Sequence, residues 1–176
     1  MVMATSVDQL SVYLAEDRAA TPMVWVRKWV DSKKYGFFGY KLTNDTTGVI
    51  FDGSSKLLLH GDGMAIQHVG KEGNVNFHTM GDGNDESRKE NLARLPYLIR
   101  KWLRTPHATV MHLDNGTLQV NYIRNDVRII VCPVKRAVSV IEPNNFRTFL
   151  LKSLCHGCSI DLLQRLNLFF SRSESF

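Results

Sequence analysis

The chain states one pattern twice, about 72 residues apart, and no other feature limits its fold so sharply. Val26-Arg27-Lys28-Trp29-Val30 returns as Ile99-Arg100-Lys101-Trp102-Leu103, a shift of 73 residues. Lys56-Leu57-Leu58-Leu59 returns as Arg128-Ile129-Ile130-Val131, and Ile66-Gln67-His68-Val69 as Val138-Ser139-Val140-Ile141, both at a shift of 72. That period is too long for a solenoid and fits one small α+β module used twice. A module of about 75 residues buries only about 60% of its unfolded surface, so each half is expected to lean on the other. Two packed modules also make a cleft, and such clefts are favoured ligand sites.

The 176 residues allow one domain or two small ones. A hydrophobic fraction of 44% argues against extended disorder. No apolar run approaches the ~18 residues of a membrane span, so no membrane partner is expected. The stretch Met1-Val2-Met3-Ala4-Thr5-Ser6 has neither the basic flank nor the apolar core of a secretory signal. Cys132, Cys155 and Cys158 cannot all pair, which suits a reducing compartment, cytosol or nucleus. The net charge of +5, from 22 basic and 17 acidic residues, favours an anionic partner: nucleic acid, phosphoprotein or acidic lipid. The cations fall in separate pairs (Arg88-Lys89, Arg100-Lys101, Lys135-Arg136) rather than one block, which disfavours extended nucleic-acid binding.

Residues 7–19 read as a short amphipathic helix, with Val7, Leu10, Val12, Tyr13 and Leu14 loosely on one face and Thr21-Pro22 as its breaker. From Val24 onward the pattern is strands. Residues 37–42, 47–52, 56–60, 65–69 and 74–80 are short and β-rich, separated by Asn-Asp, Asp-Gly-Ser-Ser, Gly-Asp-Gly and Glu-Gly turns. Such punctuation predicts an antiparallel meander. Residues 81–91 form a polar linker without an apolar residue. Strands are expected again at 108–113, 117–123, 127–132, 137–141 and 146–151, with Asp114-Asn115-Gly116 as the clearest hairpin turn. After Gly157 the period changes. Ile160, Leu163 and Leu166, with Leu162, Phe169 and Phe170 nearby, predict a helix packed on the second sheet.

These residues resemble the polo boxes of polo-like kinases. Trp25-Val26-Arg27-Lys28-Trp29-Val30-Asp31, Tyr35-Gly36, Gly39-Tyr40-Lys41-Leu42 and Gly48-Val49-Ile50-Phe51 are similar to the first box. Leu92-Ala93-Arg94-Leu95-Pro96-Tyr97-Leu98, Trp102, Asp114-Asn115-Gly116 and Phe146-Arg147-Thr148 are similar to the second. The resemblance covers nearly the whole chain. It implies two six-stranded antiparallel sheets in pseudo-twofold arrangement, each with a helix, gripping a phosphoserine or phosphothreonine peptide. It divides the chain into a cap-like segment 1–22, a first box 23–80, the linker 81–91 and a second box 92–176. It further implies a kinase domain acting in cis or in trans, and work at centrosomes and kinetochores.

A phosphoryl group carries about −1.5 to −2 charges and three acceptor oxygens, so its pocket needs fixed cationic donors. The family supplies a His and a Lys two residues apart on the second box and a Trp from the first. Here Trp29 stands at the Trp position, Asp126 at the His position and Arg128 at the Lys position. Arg keeps the charge and gains a bidentate fork; Asp places a carboxylate where a phosphate would be repelled. A second departure concerns the first box, whose closing helix has no counterpart in the eleven polar residues of the linker. Ile50, Leu58, Ile66 or their neighbours are then expected to need another cover: the N-terminal helix, the second box, or self-association.

Cys155-His156-Gly157-Cys158 has the spacing of half a zinc site, but no second pair follows. His60, Asp62 and His107 lack any accompanying nucleophile motif, and the chain has no Gly-rich loop with a following Lys, no His-Arg-Asp and no Asp-Phe-Gly. No metal, no cofactor and no catalysis are expected. The leading function is phosphopeptide docking with an altered phosphate site. Its rivals are a phosphate-independent interaction or dimerisation module and, more weakly, a basic nucleic-acid binder.

Overall fold

Short apolar-polar alternations separated by residues that tolerate positive φ favour hairpins over long connections. The structure, a computed structural model, describes residues 16–79, 98–154, 162 and 164–166. Its first six strands are β1 (Val26–Ser32), β2 (Phe37–Leu42), β3 (Thr47–Phe51), β4 (Lys56–Leu59), β5 (Ala65–Val69) and β6 (Val75–Thr79). The second six are β7 (Ile99–Arg104), β8 (Ala108–Leu113), β9 (Leu118–Tyr122), β10 (Arg128–Cys132), β11 (Ala137–Glu142) and β12 (Asn145–Leu150). One sheet runs β1-β2-β3-β4-β5-β6 and the other β12-β11-β10-β9-β8-β7, both simple meanders. Every expected strand is present. The two that propensity alone had not delimited, β1 and β7, carry exposed basic pairs that break the apolar alternation.

The repeat extends to the backbone. Left-handed residues close equivalent turns: Asp45 and Gly116 are 71 residues apart, Ser54 and Asp126 are 72 apart, and Gly63 and Arg136 are 73 apart. Trp29 and Trp102 each occupy the fourth position of their strand, and Lys56 and Arg128 each open one. Identical strand order with matching turns is what duplication of one module requires.

The chain divides into two compact units. The unit around the first sheet holds residues 23–79 with 98–102 and 111–115. Its core joins Val26, Phe38, Tyr40 and Leu42 to Ile99, Met111 and Leu113. Trp102 stacks on Phe38, ring centroids 4.1 Å apart. Tyr40 lies opposite Gly48 across β2 and β3, and its ring occupies the space a side chain at Gly48 would need. The Ile99 N–H donates to Tyr40 Oη at 3.3 Å. Leu58 is fully buried and Ile50 packs on this core, so neither is the residue left uncovered. The exposed apolar side chains are instead their neighbours on the other face, because alternation turns Leu57 and Leu59 away from Leu58.

The other unit holds residues 16–22, 103–110, 116–154, 162 and 164–166. Ile129, Val138, Val140 and Phe149 are closed over by Leu162 and Leu166, which are helical, as expected for the end of the chain. The expected N-terminal helix does not reach residue 19. Glu16 forms a β-bridge with Phe149, the Asp17 N–H donates to the Thr148 carbonyl at 2.8 Å, and Arg18–Ala20 is a single 3-10 turn capped by the Asp17 carboxylate. The edge of β12 offers unpaired backbone groups, and an extended chain satisfies them where a helix could not. Residues 7–15, the linker 81–91, Cys155, His156, Cys158, Ile160 and Leu163 lie outside the described residues.

Candidate functional site

The hairpin joining β9 to β10 places the two charged candidates. The Tyr122 N–H donates to the Val127 carbonyl at 2.8 Å, and the Asn125 side chain accepts from the Val127 N–H at 3.4 Å, which closes the turn. Asp126 completes it at φ 51°, a conformation Asp tolerates better than most side chains. The chain then enters β10 at Arg128, flanked by Asn121 on β9 and Ile141 on β11. The positive-φ residue and the strand start put both side chains together, with Arg128 Nη2 3.6 Å from Asp126 Oδ1.

The two partners differ in setting. The Arg128 side chain is 23% exposed and the Asp126 side chain 70%. A largely solvated carboxylate is thus held beside a cation that the sheet supports. Asn121, opposite Arg128, is fully buried and accepts from Gln119 Nε2 at 2.9 Å. One register step along the same face, the Ser139 and Thr148 hydroxyls are 2.7 Å apart, and Thr148 in turn meets Thr21 at 3.1 Å. Thr148 belongs to the Phe146-Arg147-Thr148 motif. Its role here is to tie β12 to β11 and to the N-terminal strap, a polar support that composition alone does not reveal.

Trp29 lies in the other compact unit. It sits mid-β1 opposite Tyr40, half-buried against the Phe38–Tyr40–Ile99 core. Trp102 packs on that same core. Lys56, the repeat-mate of Arg128, is also held: its Nζ donates to the Arg100 carbonyl at 3.3 Å, and burial, with Arg100 nearby, depresses its pKa. The repeat therefore supplies two equivalent cations in different surroundings, one engaged by a backbone carbonyl and one by a carboxylate. Among the described residues no three His, Cys, Asp or Glu side chains cluster as metal ligands.

Comparison with known proteins agrees with this duplicated geometry. The family model described as the POLO box duplicated region matches residues 33–94 and again 105–166. The serine/threonine-protein kinase PLK1 of Xenopus laevis is 35% identical over 183 aligned residues, covering 86% of this chain and 30% of that protein. The kinase plk-1 of Caenorhabditis elegans is 32% identical, covering 82% of this chain and 27% of its own length. The chain thus spans about 30% of the length of the curated relatives it matches. The polo-box domain of budding-yeast Cdc5 shares the fold with a TM-score of 0.67 at 17% identity, covering 93% of this chain and 86% of that one. The same yeast domain in complex with an Spc72 phosphopeptide gives 0.65 at 15% identity, covering 93% and 76%.

Proposed function

Because this chain belongs to the polo-box family, we propose that it is the non-catalytic docking module of a polo-like kinase, binding segments of partner proteins phosphorylated on Ser or Thr. The observation that carries this reading is Arg128, a sheet-supported guanidinium at the mouth of the β9–β10 hairpin. Its planar fork matches two phosphate oxygens, and a guanidinium sheds water more readily than an ammonium. The Spc72 phosphopeptide bound by the yeast Cdc5 polo-box domain supports a phosphorylated ligand. Trp29, at the family's Trp position, is the proposed contact for the peptide from the first box. The kinase domain served, in cis or in trans, and a site of action at centrosomes or kinetochores belong to the same proposal.

Asp126 shapes the affinity. Its carboxylate competes with phosphate for Arg128 and repels the dianion, so binding is expected to be weaker and more salt-dependent than for a site with two cationic donors. The same ion pair favours a second reading, docking that ignores phosphate. Fluorescence titration of the chain with matched Ser-phosphothreonine and Ser-threonine peptides separates the two. Phosphate-dependent docking requires the phosphorylated peptide to bind about tenfold tighter or better, about 1.4 kcal/mol per decade. Equal affinities would leave phosphate-independent docking as the function.

A further inference from the structure

The two sheets are repeats, yet among the described residues the equivalent face is covered on one and exposed on the other. On the second sheet, Ile129 is 3% exposed and Val138 fully buried beneath Leu162 and Leu166, two side chains one helical turn apart. On the first sheet the equivalent of Ile129 is Leu57, which is 38% exposed. Leu59 and Phe51 on the same face are exposed as well, and Val30 is 54% exposed. Pairing places them side by side: Val30 opposite Gly39, Gly39 opposite Val49, and Val49 opposite Leu57. Val30 and Phe37 lean over Gly39, where a Cβ would meet them at 3.1 and 3.5 Å, so their side chains carry the row across that position. A continuous apolar row, on a sheet whose twin carries a helix, offers a surface for one.

Charge narrows the occupant. The strand residues sharing this face include two lysines, Lys28 and Lys41, and no carboxylate. Lys41 is paired with Asp45 of the adjoining turn, while Lys28 projects exposed from β1. Acidic side chains bordering an apolar stripe would meet this rim favourably, and basic ones would not.

We propose that the open face of the first sheet is a docking site for an amphipathic helix of a partner protein, with leucines at i and i+4 on its apolar stripe and Glu or Asp along its flanks. The site takes the place that Leu162 and Leu166 fill on the second sheet. Its strands are not those of the Asp126–Arg128 hairpin, and it does not depend on how that hairpin is used.

The test is fluorescence anisotropy of the full chain with a labelled helical peptide of about five turns bearing a Leu stripe at i, i+4 spacing and Glu flanks. A Lys-flanked peptide and one with the stripe changed to Ser serve as comparisons. The Glu-flanked peptide should bind best, and Leu57→Ser or Leu59→Glu should weaken it about tenfold or more, since each removes contact area worth roughly one decade. Both positions are already exposed, so melting temperatures and far-UV circular dichroism should hold and serve as checks of folding. Absence of binding, indifference to both substitutions, or equal binding of the Lys-flanked peptide would each overturn the proposal. So would a concentration-dependent dimer in sedimentation that Leu57→Ser dissolves, since the face would then belong to a second copy.

Discussion

Replacing Asp126 by Asn removes one charge from the proposed phosphate site and leaves its backbone intact, because Asn accepts a φ of 51° as readily as Asp. Two electrostatic effects then change together. Asp126 Oδ1 lies 3.6 Å from Arg128 Nη2 and is largely solvated, so a water-like dielectric applies and the pair is worth about 1 kcal/mol. A phosphate of about −1.5 charge seated roughly 6 Å from that carboxylate feels about 1 kcal/mol of repulsion under the same screening. Removing both should tighten a Ser-phosphothreonine peptide by about 2 kcal/mol, roughly thirtyfold. Asp126→His should gain at least as much, because it also adds a donor. Arg128→Ala in either background should abolish the gain. Isothermal titration at low ionic strength and at about 1 M salt, where the screening length is about 3 Å, should show most of the increment disappearing. An Asp126→Asn protein that melts normally yet binds within about twofold of the parent, well short of the decade that 1.4 kcal/mol represents, would refute this electrostatic account of the hairpin.

Two further outcomes test the packing behind the site. Burial pushes the Tyr40 pKa up to about 12, against an ordinary value of 10, with Asp114 adding to the rise and the Ile99 N–H opposing it. The folded state therefore holds the proton longer than the unfolded one. Its contribution is complete below about pH 10 and is lost as pH climbs toward about 12, about 1.4 kcal/mol by about pH 11. Tyr40→Phe should cost about 1–2 kcal/mol at about pH 7 by stranding the Ile99 N–H, and urea titrations should show that deficit shrinking or reversing at about pH 11; the same deficit at both pH values would contradict the assignment. Gly48→Ala should destabilise by about 1–3 kcal/mol, because its methyl group would invade the Tyr40 ring. In a Tyr40→Ala background the same change should cost much less, and strict additivity in the double-mutant cycle would show that the two sites do not touch.

Much of this architecture lies open in the chain itself. A repeat of strand patterns at a shift of 72 residues, each ending where a turn residue can adopt positive φ, makes two equivalent meanders before any distance is known. Trp29 matching Trp102 and Lys56 matching Arg128 follow from that register alone, because hairpin pairing is local and the side-chain period is two. The stretch at residues 16–20 was not legible, since a free edge on β12, more than a hundred residues away, overrides a weak helical period. The partition of cores was equally hidden: Ile99, Met111 and Leu113 join the Phe38–Tyr40 cluster although they belong to strands of the second sheet. Only tertiary structure decided which face of the first sheet stays exposed among the described residues, because alternation defines two faces without saying which one finds a cover. The Asp126–Arg128 contact likewise required the left-handed turn between them, a backbone state that the residue types permit and the closed hairpin enforces.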